Sequence, residues 1–348
     1  MSKCNANNER IKRAYVQWRR GARGCSEATL DTDLAAIHDF EVYTGFRDFK
    51  RFHIRQPQGY KDHLRGQTNV RTGRPLSAAT IHTRLNALKA FFKWLADKPG
   101  YKSRISYSDA DYFSPDRRET AIAKAHREPR APTLEQIRHV LKSMPSTTAI
   151  EKRNRALIAF TILSGARVKA IATMQLRHVD IIEDRVDQDA RTVGTKFSKT
   201  FSTAFFPVGA DIREIVVDWI EYLRTELMWG LDEPLFPATL VSTRCRFEAV
   251  GLDRRHWTTT EPINRIFRQA FEAAGIAYYN PHSFRHTLGR LPAQLNLTAE
   301  DQKAWSQNFG HERLATTVSY YAHVPFARQA EIMRRLGEQH GTLAAHEK

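Results

Sequence analysis

The stretch Pro281-His282-Ser283-Phe284-Arg285-His286-Thr287 sets a His and an Arg three residues apart. That spacing puts both on one face of a helix. Gly310-His311 follows, and Tyr320 and Tyr321 stand nine and ten residues beyond that His. Far upstream, Ser164-Gly165-Ala166-Arg167 carries a glycine that lets the chain turn tightly and brings backbone close to a ligand. Two Arg, two His and a Tyr gathered in one place suit a phosphodiester. Guanidinium forks grip non-bridging oxygens at two points, imidazoles donate or move protons, and a phenol attacks phosphorus. The departing oxygen then needs a proton, which a Lys can supply.

Each motif also has a plainer reading. Arg167 would equally suit an ion pair with a nearby carboxylate, and a Gly-His pair alone is weak. His282 and His286 have the four-residue spacing of zinc helices. That chemistry wants a Glu beside the first His and a third ligand, and here Ser283 follows His282. No metal is expected.

Together these boxes resemble the tyrosine recombinases, also called the phage integrase family. The resemblance is close from about Thr133 to Leu336 and loose over the first third. The family's first catalytic Arg lies in a Gly-x-Arg turn, matched by Arg167. Its His-x-x-Arg box is matched by His282 and Arg285, and its Leu-Gly-His box by Phe309-Gly310-His311, with Phe for Leu. The resemblance puts the proton-donating Lys in a hairpin turn eight residues before a Pro. Lys199 stands there relative to Pro207, and Lys196 is the second choice. The commonest family spacing selects Tyr320 as the nucleophile. The residues that usually follow the nucleophile select Tyr321, which precedes Ala322-His323-Val324. Some bacterial members resemble this chain through Trp305-Ser306-Gln307-Asn308 and have the longer spacing. We take Tyr321, with Tyr320 left open. One position departs from the pattern. The acid usual three residues after the first Arg is Ala170 here, so another residue must hold Arg167.

Charge points the same way. Residues 1–131 hold 26 Lys/Arg against 14 Asp/Glu, so +12 of the net +16 lies in the first third. Such surface attracts a polyanion, and double-stranded DNA is the expected partner. Three scattered Cys (Cys4, Cys25, Cys245) make neither a disulfide framework nor a zinc site. The polar first residues lack a signal-peptide core, and Ala156–Leu163, the most apolar run, is too short to span a bilayer. A cytoplasmic, nucleoid-associated protein with no membrane partner is expected.

The elements that must position these groups read as mainly α. Helical spacing predicts helices over 9–24, 27–44 and 51–64, a loop over 65–75, and a long helix capped by Ser77. This N-terminal bundle, residues 1–113, resembles the core-binding half of tyrosine recombinases. Residues 114–131, with Pro115, Pro129 and a charged run at 116–119, read as an interdomain linker. Residues 132–348 read as a mostly helical catalytic domain. Thr133 and Gln136 form its opening capping box. A buried helix over 153–163 breaks at Gly165, helix continues from Arg167 to about Met174, and 184–193 pairs with 201–208 as a hairpin. Further helices are expected over 211–229, 261–274, 284–293 and 299–306. Near the end, Phe326, Ala330, Met333 and Leu336, flanked by Ile332, make an apolar stripe at helical spacing.

The resemblance implies a site-specific recombinase or integrase that needs no cofactor and works through a 3′-phosphotyrosine. It also implies a homo-oligomer, a tetramer on paired sites, with the terminal segment passed to a neighbour. A type IB topoisomerase, which shares the chemistry, and a DNA-binding accessory protein with a decayed site are the alternatives.

Overall fold

The computed structural model describes residues 4–70, 72–124, 129–195, 199–242, 248–293, 295, 297–310, 329–331 and 333–335. The chain divides into two compact units, Met1–Arg127 and Glu128–Lys348.

Among its described residues the first unit has five α-helices: α1 (Ala6–Arg23), α2 (Glu27–Tyr43), α3 (Arg55–Gly66), α4 (Ala78–Ala96) and α5 (Arg117–Lys124). Polar caps start them. Asn5 accepts from the amides of Asn7 and Asn8, and Ser77 Oγ accepts from Thr80 N at 3.1 Å. Their inner faces meet in an aromatic core. The Phe40, Phe92 and Phe113 rings lie 4.9–5.6 Å apart in pairs, two of them edge-on. Glu41 is fully buried, and Asn8 Nδ2 (2.9 Å) and Lys12 Nζ (2.6 Å) satisfy its carboxylate. The charged run at 116–119, expected in the linker, opens α5 instead. Arg65 on α3 donates to Asp116 (2.7 Å) and Glu119 (2.6 Å), which ties that run to the bundle.

The second unit contains α6 (Leu134–Ser143), α7 (Ala149–Ser164), α8 (Val168–Ile171), α9 (Ala210–Glu221), α10 (Glu261–Ala273), α11 (Pro281–Arg290) and α12 (Ala299–Asn308). The Thr133–Gln136 capping box forms as expected. Strands β1 (Val179–Asp180), β2 (Arg185–Gln188) and β3 (Phe201–Ala204) make an antiparallel sheet in that order, with Gln188 opposite Phe201. Two short strands, β4 (Thr239–Val241) and β5 (Ala249–Leu252), form a second hairpin. Helix α8 is a single turn where a run to about Met174 was expected, and α9 ends in a π-helical turn over Tyr222–Glu226. Helix α7 lies in the middle of the core, with every residue from Ala156 to Ser164 buried. Among the described residues no helix is long and apolar enough to cross a membrane.

Candidate active site

Arg285 is the hub. Its helix, α11, starts cleanly because Pro281 presets the first turn and Asn280 Oδ1 accepts from Ser283 N at 3.1 Å. The helix is then bolted down on several sides. Thr287 Oγ1 donates to Pro132 O at 2.6 Å, Arg290 to Pro129 O at 2.6 Å, and Trp305 Nε1 to Leu288 O at 3.1 Å. Phe284 is buried edge-on against Phe267, 5.1 Å away.

This frame turns Arg285 inward, leaving it 3% exposed. Its guanidinium donates to the Gly165 carbonyl and to the Phe309 carbonyl (3.1 Å), and lies 4.6 Å over the Phe309 ring. Gly165 stands two residues before Arg167, and Phe309 two before His311. One side chain therefore joins the turn that leads to Arg167 and the turn that precedes His311 in sequence. His282, one turn earlier on α11, is exposed, and its ring meets His286 edge-on at 5.3 Å. Among the described residues no third metal-ligating group joins this pair.

The Gly165 turn is shaped by what surrounds it. Gly165 ends α7 at φ 58°, a conformation suited to glycine. A Cβ there would fall 3.0 Å from Phe206 and 3.1 Å from Leu288. Arg167 follows in extended backbone, half-exposed, just ahead of α8. Among the described residues its guanidinium has no hydrogen-bond or ion-pair partner. Ala170 is 1% exposed, so an acid at that position would be a buried charge. The holder that the sequence asks for in place of that acid is not found among the described residues.

Lys199 lies on the arm between β2 and β3, half-buried and two residues before Phe201. The arm is pinned at its base. Ala190 N donates to Thr200 Oγ1 (3.1 Å), and Gly194 N to Thr173 Oγ1 just past α8 (2.7 Å). His178 Nδ1 accepts from Gln175 N at 2.9 Å, so its Nε2 carries the proton and donates to Thr192 Oγ1 at 2.9 Å. Burial, aided by Arg177, pushes the His178 pKa below its ordinary value.

The arm reaches the Phe309 turn through Phe201. Gly310 has φ 71°, and a Cβ there would sit 2.7 Å from Phe201 Cζ. That contact is one residue from His311 and two from Lys199. Just before it, the Asn308 side chain accepts from Ala204 N (2.7 Å) and donates to Ala204 O (2.8 Å), while Thr203 Oγ1 donates to Asn308 O (3.1 Å). Sequence reasoning gave neither Asn308 nor His178 a role. Asn308 entered only as the last residue of the Trp305–Asn308 stretch that carries the resemblance, with no task attached. Lys196, His311, Tyr320 and Tyr321 lie outside the described residues.

Known proteins resemble this chain in sequence and in fold. The phage integrase family pattern matches residues 131–328, and the phage integrase N-terminal SAM-like domain matches 14–100. The tyrosine recombinase XerC of Lactobacillus delbrueckii subsp. bulgaricus is 22% identical over 90% of this chain and 94% of its own. That of Halalkalibacterium halodurans is 26% identical over 58% of this chain, a match spanning 59% of the relative. Two solved structures share the fold. A lambda integrase dimer bound to a COC′ core site has a TM-score of 0.58 at 14% identity, covering 90% of this chain and 94% of that one. A lambda integrase tetramer bound to a Holliday junction has a TM-score of 0.54 at 14% identity, covering 89% and 78%. Because the catalytic pattern runs over more than half of its length, the chain belongs to the phage integrase family and is a tyrosine recombinase.

Proposed function

We propose that this chain cuts and rejoins duplex DNA at a specific site, to integrate, excise or transpose a mobile element. Tyr321 attacks the scissile phosphate and forms a 3′-phosphotyrosine. Arg167, Arg285 and His311 stabilise the pentacovalent transition state, where each well-placed donor is worth about 10²–10³ in rate. His282 assists proton transfer or phosphate binding, and Lys199 protonates the departing 5′-oxygen. The phosphotyrosine conserves the energy of the broken bond, so neither nucleotide nor metal has a step to perform. Residues 1–113 bind DNA, and residues 132–348, joined to them through 114–131, carry the catalysis.

The observation that carries this reading is the Arg285 bridge between the Gly165 and Phe309 turns. Assembly follows the related structures, which are a dimer on a core site and a tetramer on a Holliday junction. Four chains act on paired sites, and the C-terminal segment docks on a neighbour. Met333, on that segment's apolar stripe, is 62% exposed.

The test starts with a duplex selected from a random-sequence pool by binding to the wild-type protein, then nicked to trap the intermediate. A covalent protein–DNA adduct and recombinant product are expected. Supercoil relaxation by a monomer without recombinants would point to a topoisomerase, and binding without adduct to a decayed site.

A further inference from the structure

Strand β3 is the outer strand of its sheet, so its far edge offers backbone groups to any partner. Asn308 takes them as a neighbouring strand residue would. Its amide oxygen meets Ala204 N–H and its amide nitrogen meets Ala204 C=O. The contact is backed from the other side. Gln188 on β2 donates to Thr203 Oγ1 at 3.2 Å, and the same hydroxyl donates to Asn308 O. Gln188 and Thr203 are both buried. Two residues after Asn308, Gly310 lies on the Phe201 ring. The segment 308–310 is therefore fastened to β3 at two points, Ala204 and Phe201, and the second is next to the arm that carries Lys199.

We propose that Asn308 is a positioning residue for the proton donor. It sets the spacing between β3, with Lys199 ahead of it, and the turn that leads into His311. A side chain that only donates or only accepts cannot replace it, because Ala204 presents one group of each kind. This rests on the reading of Lys199 as the group that protonates the leaving 5′-oxygen.

The experiment compares single-turnover cleavage of two forms of the selected nicked duplex. One has the natural 5′-oxygen at the scissile phosphate, and the other has sulfur in that bridging position. A thiolate leaves without protonation, since a thiol pKa is about 8.5, so a defect in proton donation disappears on the sulfur duplex. Wild-type adduct formation, and rescue of Lys199→Ala by sulfur, establish the underlying reading on their own. Given those, Asn308→Ala and Asn308→Asp should slow cleavage of the oxygen duplex by about tenfold to a hundredfold, within the range of general-acid effects. Both should regain near-wild-type rates on the sulfur duplex, with DNA affinity unchanged. Asn308→Asp keeps the acceptor for Ala204 N–H and guards against a simple loss of folding in the Ala variant. Equal slowing on both duplexes, or no slowing by either variant, overturns the role of Asn308 and leaves the recombinase reading standing. Failure of sulfur to rescue Lys199→Ala overturns both the acid assignment and this inference.

Discussion

Arg285 is bound to two backbone carbonyls and one aromatic face, which only a planar fork can satisfy together. Arg285→Lys should therefore cost twice. Cleavage should fall by about 10² or more, and the domain should lose about 1–3 kcal/mol as a buried carbonyl goes unpaired. Single-turnover rates and thermal melts would report both, and a Lys variant at wild-type stability and rate would contradict the bridge. In the proposed mechanism Tyr321→Phe removes only the attacking oxygen, so the adduct should vanish while DNA binding survives. If Tyr320→Phe is the variant that loses the adduct, the nucleophile is one residue earlier. Residue type and order are what single out the candidate groups, of which Arg167, Lys199, His282 and Arg285 lie among the described residues. The Arg285 bridge was not legible in the sequence, since its partners are backbone oxygens 120 and 24 residues away. Asn308 was overlooked for the same reason, as its partner strand lies 104 residues upstream.

Elements followed their local signals where those signals were strong. Ser77, Thr133 and Gly165 start or stop helices as expected, because a cap depends on residues within one turn. Strands β1, β4 and β5 went unforeseen, since two to four residues carry too little alternation to register. Helix α5 formed in the expected linker because Arg65, more than fifty residues upstream, holds Asp116 and Glu119. Two predictions belong here. Gly310→Ala meets both the left-handed backbone and the Phe201 ring, so a loss of about 1–3 kcal/mol is expected in a denaturant titration; an unchanged midpoint would show that the turn is not packed as described. The second concerns the arm base. His178 is neutral in the fold, and its pKa lies below the ordinary 6.5. Its contribution is present above that value and is lost as pH falls below it, because the unfolded chain takes up the proton first. The charged or titratable groups around it are Arg177, Asp187, Asp189 and His256. The melting temperature should drop on going from pH 7.5 toward 5.5, and less steeply in His178→Gln. Parallel curves for the two proteins would remove His178 from the account.

At the scale of the whole molecule, charge and assembly decide behaviour. The +12 carried by residues 1–131 predicts DNA binding that weakens steeply with salt. Cleavage should proceed unchanged in chelator, since the proposed mechanism meets the phosphate charge with Arg and His; loss of adduct in chelator, restored by magnesium or zinc, would refute the mechanism. Truncation after Val324 should abolish synapsis and recombination yet leave single-site binding nearly intact, as gel shifts on one and two sites would show. Recombination by the shortened chain would mean that the apolar stripe packs on its own domain. The two-unit organisation was legible from the proline-bracketed stretch and the shift in charge, whereas the partner of the apolar stripe over 326–336, most of which lies outside the described residues, leaves no mark in one chain's sequence.

The Arg285 bridge also bears on how this site withstands genetic drift. It grips oxygens that every amino acid possesses, so substitution of a gripped residue does not by itself remove the handhold. Phe309 stands where relatives are expected to carry Leu, and its carbonyl still accepts. In a library of random variants screened for cleavage, lesions should therefore concentrate at Arg285 itself and at Gly165 and Gly310, whose backbone angles shape the turns. Position 309 should tolerate Leu, Met or Tyr.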